Sequence, residues 1–298
     1  MSTMRFVQRG VELAGYEFGA GFPVIFQHGL GGDASQVAEV FPDGPTVRLL
    51  TLECRSQGAS KPGPSDLLSI ETFADDVLAF ADSRGIGKFV VGGISMGAAI
   101  ALRIAVIAPE RIRGLIIARP AWLWNSGPEN MKPYGEVGRY LKRPDLAVAK
   151  VEFERSETGL SLARRAPDNL ASLLKFFDVP EPLVTAQLLE RISADGPGVT
   201  LEQIRALKVP TLVIAHGFDA VHPLDYGRTI AGEIAGALFT EITSKVESRA
   251  RYVEDFRSAV KAFLDDCATG NLQRRLAPLP NSDRTNPVAT KSGNLSRS

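Results

Sequence analysis

Ser95 stands in the string Gly93-Ile94-Ser95-Met96-Gly97, directly after the apolar, β-branched run 89–92 and directly before the small-residue apolar stretch 98–107. A strand that reverses sharply into a helix needs flanking glycines so that the turn closes without Cβ clashes, and it holds the central side chain out at the carboxyl edge of a sheet. The helix that follows aims its unpaired N–H groups and positive dipole end at that place, where negative charge would develop on a substrate oxygen. This spacing points to a nucleophilic serine. A serine hydroxyl is almost wholly protonated at neutral pH, so the chemistry also needs a base and a carboxylate to orient the base. The chain offers only three histidines for that work, His28, His216 and His222.

The elements that must position Ser95 are legible as periodicity. Residues 4–7, a turn at Arg9-Gly10 and the alternating run 11–18 read as an opening hairpin. The runs 23–27, 47–52, 89–92 and 115–118 are short and β-branched enough to be strands buried on both faces. A helix is predicted over 70–83, where Ile70, Phe73, Val77, Leu78 and Ala81 share one face. From 120 to 206 no strand is evident, and helical stretches at 169–177 and 184–192 are divided by Pro167, Pro180 and Pro182. The alternation resumes at 210–215 and continues through a helix near 224–234, a strand near 238–243 and a last helix over 251–266. The expected organisation is therefore a mostly parallel central sheet flanked by helices, built from residues 1–119 and 207–266. Residues 120–206 form a helical lid inserted into it, and 267–298 a disordered polar tail.

At these residues the chain resembles the α/β-hydrolase fold family. Besides the serine elbow, His28-Gly29-Leu30-Gly31-Gly32 is similar to the family's HG-x-x-G loop, and residues 53–60, ECRSQGAS, are similar to its acidic-x-R-G-x-G-x-S loop. The second match departs at Ser56, where the family usually has Gly, and at Gln57, where it often has His. The resemblance implies that the backbone N–H groups of Leu30 and Met96 bind an oxyanion, that His28 is structural, and that the acid is Asp219, in the loop after 210–215. It also implies a histidine in the loop before the last helix. That loop, SKVESRA at 244–250, has none; Lys245, Arg249 and Tyr252 lie near the vacant position and read as solvated charge and its neighbours.

Three arrangements are compatible with that departure. His222, three residues after Asp219, can reach Ser95 and serve as the base; Ser95 and the oxyanion donors can turn over slowly without one; or the pocket binds a ligand with no chemistry. The lid aromatics and aliphatics Trp122, Trp124, Met131, Tyr134, Phe153, Leu173, Leu174, Phe176 and Phe177 are candidates for an apolar pocket or for the lid's own core. Arg119, Arg143, Arg164 and Arg165 are candidates for holding a substrate carboxylate.

Composition removes other classes. Lys plus Arg and Asp plus Glu each number 34, so no net field draws the chain to nucleic acid or an anionic bilayer. No apolar run reaches the about 18 residues of a membrane span. Cys54 and Cys267 are too few for a disulfide scaffold or a four-thiolate metal site, and Cys54 reads as a small buried hydrophobe. No G-x-G-x-x-G or P-loop opens the first helix. The expectation is a cytoplasmic hydrolase of a small apolar ester, thioester, lactone or carbon–carbon bond substrate, or a catalytically impaired relative that binds a small ligand. No cofactor or metal, no nucleic-acid or membrane partner, and at most a homodimer are expected.

Overall fold

The structure is a computed structural model that describes residues 2–42 and 46–269. β1 (Ser2–Gln8) and β2 (Val11–Phe18) form the expected antiparallel hairpin. Its turn residues Arg9 and Gly10 both have positive φ, 50° and 74°, the twist a two-residue hairpin loop requires. The sheet continues with β3 (Phe22–Gln27), β4 (Val47–Leu52), β5 (Phe89–Ile94), β6 (Ile112–Ala118), β7 (Thr211–Ala215) and β8 (Leu238–Glu241). Its eight strands lie in the order β1-β2-β4-β3-β5-β6-β7-β8, and every pair from β4 to β8 is parallel. The carboxyl ends of β3, β5, β6, β7 and β8 therefore stand side by side along one edge, where the loops of such a sheet meet a ligand.

Alternate residues of these strands enter two cores. Ile25, Leu50, Val91, Leu115 and Val213 face α2 (Ile70–Ser83), α3 (Met96–Ile107) and α10 (Leu224–Glu233). Val24, Phe26, Leu49, Val90, Ile116 and Ile214 face α1 (Ala34–Val40) and α11 (Arg249–Thr269). The sheet is thus covered on both sides, which is why its strands carry apolar runs instead of alternation. The seven-residue α1 has no counterpart in the sequence reading; the Asp33 carboxylate caps it by accepting from the Ser35 and Gln36 N–H groups. Helix α11 carries on to Thr269, so Cys267–Thr269 are helical and not part of a tail; 270–298, the rest of the expected tail, lie outside the described residues.

Between β6 and β7 the described residues contain six α-helices and no strand: α4 (Lys132–Tyr140), α5 (Leu146–Arg155), α6 (Glu157–Arg165), α7 (Pro167–Leu174), α8 (Pro182–Ala194) and α9 (Leu201–Arg205). Pro167 and Pro182, read as breaks, are the first residues of α7 and α8. A proline is tolerated there because the first helical N–H has no partner within the helix.

Between β5 and α3 the chain turns at a single residue, with Ser95 at φ 57° and ψ −111°. The two glycines are required by contact. A Cβ on Gly93 would lie 2.4 Å from the Gly97 carbonyl carbon, and one on Gly97 would lie 2.3 Å from the Gln27 oxygen of β3. Neither neighbour is a side chain that can swing away. Gly97→Ala is therefore expected to destabilise the chain by about 1–3 kcal/mol through overpacking and to displace Ser95. A urea midpoint equal to wild type would show that β3 and α3 can separate freely.

Candidate active site

The loops that leave the shared edge bring Ser95, Asp219 and His222 into one hydrogen-bonded line. His222 Nε2 lies 2.8 Å from Ser95 Oγ, and His222 Nδ1 lies 2.9 Å from both Asp219 oxygens. All three side chains are buried. The loop after β7 makes this possible by folding back on itself: Asp219 Oδ1 also accepts the His222 backbone N–H at 3.0 Å, and Pro223 then opens α10. Two asparagines from the helical segment hold that loop. Asn130 Nδ2 donates to the Val221 carbonyl at 2.6 Å, and Asn169 Oδ1 accepts from the Ala220 and Val221 N–H groups at 2.7 and 3.1 Å.

Arg119, the residue after β6, closes the line from behind. Its guanidinium donates to Asp219 Oδ2 at 3.1 and 2.6 Å through Nε and Nη2. Arg119 Nη2 also lies 3.1 Å from His222 Nδ1. Arginine can only donate, and Nδ1 faces a carboxylate, which can only accept when ionised; the proton therefore sits on Nδ1 and is given to Asp219. The Arg119–His222 approach is then a contact of two donors sharing one carboxylate. With Nδ1 protonated, Nε2 is left as an acceptor for the Ser95 hydroxyl.

Charge keeps the groups in those states. Burial pushes the Asp219 carboxyl up, but the charges of His222 and Arg119 outweigh it and hold it well below the usual carboxylate range. His222 is pulled below its ordinary 6.5 by burial, partly opposed by Asp219 and assisted by Arg119. His216, whose Nε2 is 3.6 Å from Asp219, is lowered to about 4 by burial and by Arg119, so it stays neutral and leaves the carboxylate to the other two.

The loop after β3 faces this line. Gln36 Oε1 accepts the Gly29 N–H and Gln57 Oε1 the Gly31 N–H, both at 2.7 Å, fixing the backbone on either side of Leu30. Among the described residues neither the Leu30 nor the Met96 N–H has an acceptor. His28 is buried beneath the loop, with Nδ1 2.8 Å from the Gly29 carbonyl and Nε2 accepting the Cys54 N–H at 3.0 Å, a structural arrangement. Ser56 takes φ 64°, which explains why a glycine commonly stands at its place. Cys54 is buried, and burial raises its thiol well above the usual range.

A cavity of about 250 Å³ opens over Ser95 and His222. Tyr134 and Phe176 line it, but the rest of its wall is largely polar: Gln36, Arg119, Asp168, Asn169, Ser172, Lys175 and Lys245. Of the two readings of the aromatic and aliphatic side chains of 120–206, pocket or core, most take the second. Trp122, Met131, Phe153, Leu173 and Phe177 are buried in a core continuous with the one between the sheet, α2 and α3, with Trp124 and Leu174 packed against it. Of the four candidate arginines, Arg119 is spent on Asp219, Arg143 pairs with Glu152, and Arg164 and Arg165 are exposed.

A family model described as the alpha/beta hydrolase fold matches residues 23–244. The chain belongs to that family. It is 33% identical over 236 residues to a proline iminopeptidase of Neisseria meningitidis, covering 68% of this chain and 76% of the relative. It is 28% identical over 186 residues to an sn-1-specific diacylglycerol lipase of Danio rerio, covering 61% of this chain but only 54% of that protein. An enol-lactonase from Burkholderia xenovorans superposes with a TM-score of 0.67 at 26% identity, covering 88% of this chain and 100% of its own.

In this α/β-hydrolase chain the loop after β8 supplies Lys245 to the cavity where the resemblance led one to look for histidine. Sequence reasoning read Lys245 as solvated, and Arg119 as solvated or as one of four candidates for a substrate carboxylate, not as the partner of Asp219; the position of Arg119 directly after β6 is the signal that placed it at the edge. Replacing Arg119 by Met leaves a buried carboxylate short of its cation, and a loss of about 3 kcal/mol in chemical unfolding is expected. Arg119 lowers the His222 pKa, so its removal raises it. Any Ser95-dependent rate in wild type should fall only as pH drops below 6.5, the ordinary histidine value, and that acid limb should move to higher pH in Arg119→Met. An unmoved limb would separate Arg119 from His222.

Proposed function

We propose that the chain is a serine hydrolase acting on a small carbonyl compound, an ester, thioester, lactone or ketone with an activated carbon–carbon bond, through an acyl-enzyme. The observation that carries this reading is the 2.8 Å approach of His222 Nε2 to Ser95 Oγ in a tautomer that can accept its proton. Ser95 Oγ attacks the carbonyl carbon while its proton passes to Nε2, and Asp219 stabilises the imidazolium through Nδ1–H. The carbonyl oxygen gains the negative charge and takes hydrogen bonds from the free N–H groups of Leu30 and Met96. Nε2–H then protonates the leaving group as its bond to carbon breaks. Water, deprotonated by the same nitrogen, attacks the acyl carbon; the carbon–Oγ bond breaks as Nε2–H returns the proton to Oγ, which releases the acid and regenerates Ser95.

The helical segment serves as the lid. It supplies Tyr134, Asn169, Ser172 and Phe176 to the cavity wall and clamps the Asp219–His222 loop through Asn130 and Asn169. The relatives' names span lipase, iminopeptidase and lactonase activities, which share an attack on an activated carbonyl; that is the part carried over to this chain. The reading of a ligand-binding protein without turnover rested on the lack of a base in the loop after β8. The 2.8 Å distance from His222 to Ser95 supports the reading with turnover over that one.

A fluorophosphonate probe followed by peptide mass mapping tests the assignment. Label is expected on Ser95, absent in Ser95→Ala, and slowed by about 10⁴-fold or more in His222→Ala, as for loss of a base that works as a unit with its serine. Equal labelling of wild type and His222→Ala would remove His222 as the base, and no label on wild type would remove the serine mechanism.

A further inference from the structure

Lys245 stands out in the cavity because its charge is unanswered. The loop after β8 holds it in place: Ser244, itself buried, accepts the Val246 N–H on its hydroxyl at 3.1 Å and gives its own N–H to Glu247 at 3.1 Å. The ammonium lies 4.7 Å from the centre of the Tyr252 ring, a cation–π contact that steadies it without neutralising it. Carboxylates near it are engaged elsewhere. Asp219 holds Arg119 and His222, Glu39 holds Arg249 at 2.6 Å, and Glu247 holds the Ser244 N–H. Among the described residues Lys245 has no hydrogen-bond or ion-pair acceptor, yet it shares the cavity with Ser95 and His222.

Other polar groups reinforce the sign. Asn169 spends Oδ1 on two backbone N–H groups, which fixes its amide orientation and leaves Nδ2 as a donor on the cavity wall. Asp168 and Lys175, on the wall contributed by the helical segment, are of opposite charge, so the uncompensated charge of the cavity is that of Lys245.

We propose that the substrate is a carboxylate-bearing ester or related acyl compound, whose free carboxylate is bound by Lys245 with Asn169 as a second donor while its reacting carbonyl lies at Ser95. This inference rests on the reading of Ser95 as the nucleophile. Lys245 is then a specificity-determining residue, placed where the loop after β8 meets the cavity. Burial, with Arg119 nearby, pulls the Lys245 ammonium down to about 7, and a substrate anion delivered to it restores the charge that burial disfavours.

The experiment compares mono-4-nitrophenyl glutarate, which has a free carboxylate, with its methyl-capped counterpart, in wild type, Lys245→Met and Lys245→Arg. Wild type is expected to prefer the free acid by at least about tenfold in kcat/KM, the value of one charge-assisted hydrogen bond, with the difference carried by KM. That preference should collapse in Lys245→Met and persist in Lys245→Arg. No preference in wild type, or a preference kept by Lys245→Met, overturns the proposal. Should wild type turn over neither ester, the fluorophosphonate label on Ser95 decides the serine-hydrolase reading, and calorimetric binding of glutarate decides the inference: at least tenfold weaker binding to Lys245→Met upholds carboxylate recognition, and equal binding overturns it.

Discussion

The arrangement at the carboxyl edge of the sheet depends on which nitrogen of His222 carries the proton. Asp219 lies 2.9 Å from Nδ1 and Ser95 lies 2.8 Å from Nε2, so one ring connects a charge to a hydroxyl. If the carboxylate were neutral, it could donate as well as accept, so the proton on Nδ1 would no longer be fixed and the imidazolium formed during attack would lose its stabilising charge. The ionised state of Asp219 is therefore the constraint from which the rest follows. It is met by placing Arg119, from the adjacent strand end, against the same oxygen that faces His222. A buried carboxylate held by one guanidinium and by the N–H of a neutral imidazole is costly to desolvate but strongly held once paired.

The backbone is arranged around that charge at three places. The β5 turn accepts a strained φ of 57° at Ser95 so that Oγ leaves the packed interior and meets the imidazole. The loop after β3 has its N–H groups on both sides of Leu30 tied to Gln36 and Gln57, leaving the one between them free. The helical segment, through Asn130 and Asn169, fixes the turn that carries both acid and imidazole. Asn169 thus both lines the cavity and holds the turn that carries its chemistry.

Much of the scaffold was legible because buried strands and amphipathic helices leave apolar runs and stripes: β3 to β7, α2 and the body of α11 were found where periodicity put them. What periodicity does not carry was missed. The short α1 depends on one aspartate cap, and α4 to α6 pack chiefly on other helices of their own segment, a partner that periodicity does not name. At the site, Ser95 and Asp219 could be placed from their positions after strands, whereas the reach of His222 depends on a turn closed by Asp219 itself, which residue spacing leaves open. Lys245 and Arg119 were misread for a common reason. Charged residues are usually solvated, and only the meeting of strand ends in space shows that these two are not. The aromatics of the helical segment, readable as pocket or as core, mostly take core positions and leave a largely polar wall over Ser95.

Nuclear magnetic resonance of the chain labelled with ¹⁵N in its histidines, with His222 assigned by substitution, reads the tautomer directly. At neutral pH His222 is expected to show a far-downfield Nδ1–H proton and an unprotonated Nε2 that accepts from Ser95, with Nε2 becoming protonated when a boronic acid adds to Ser95 as a tetrahedral mimic. A His222 that is protonated at Nε2 in the free protein, or that does not respond to the boronate, would contradict the assignment of that nitrogen as the base.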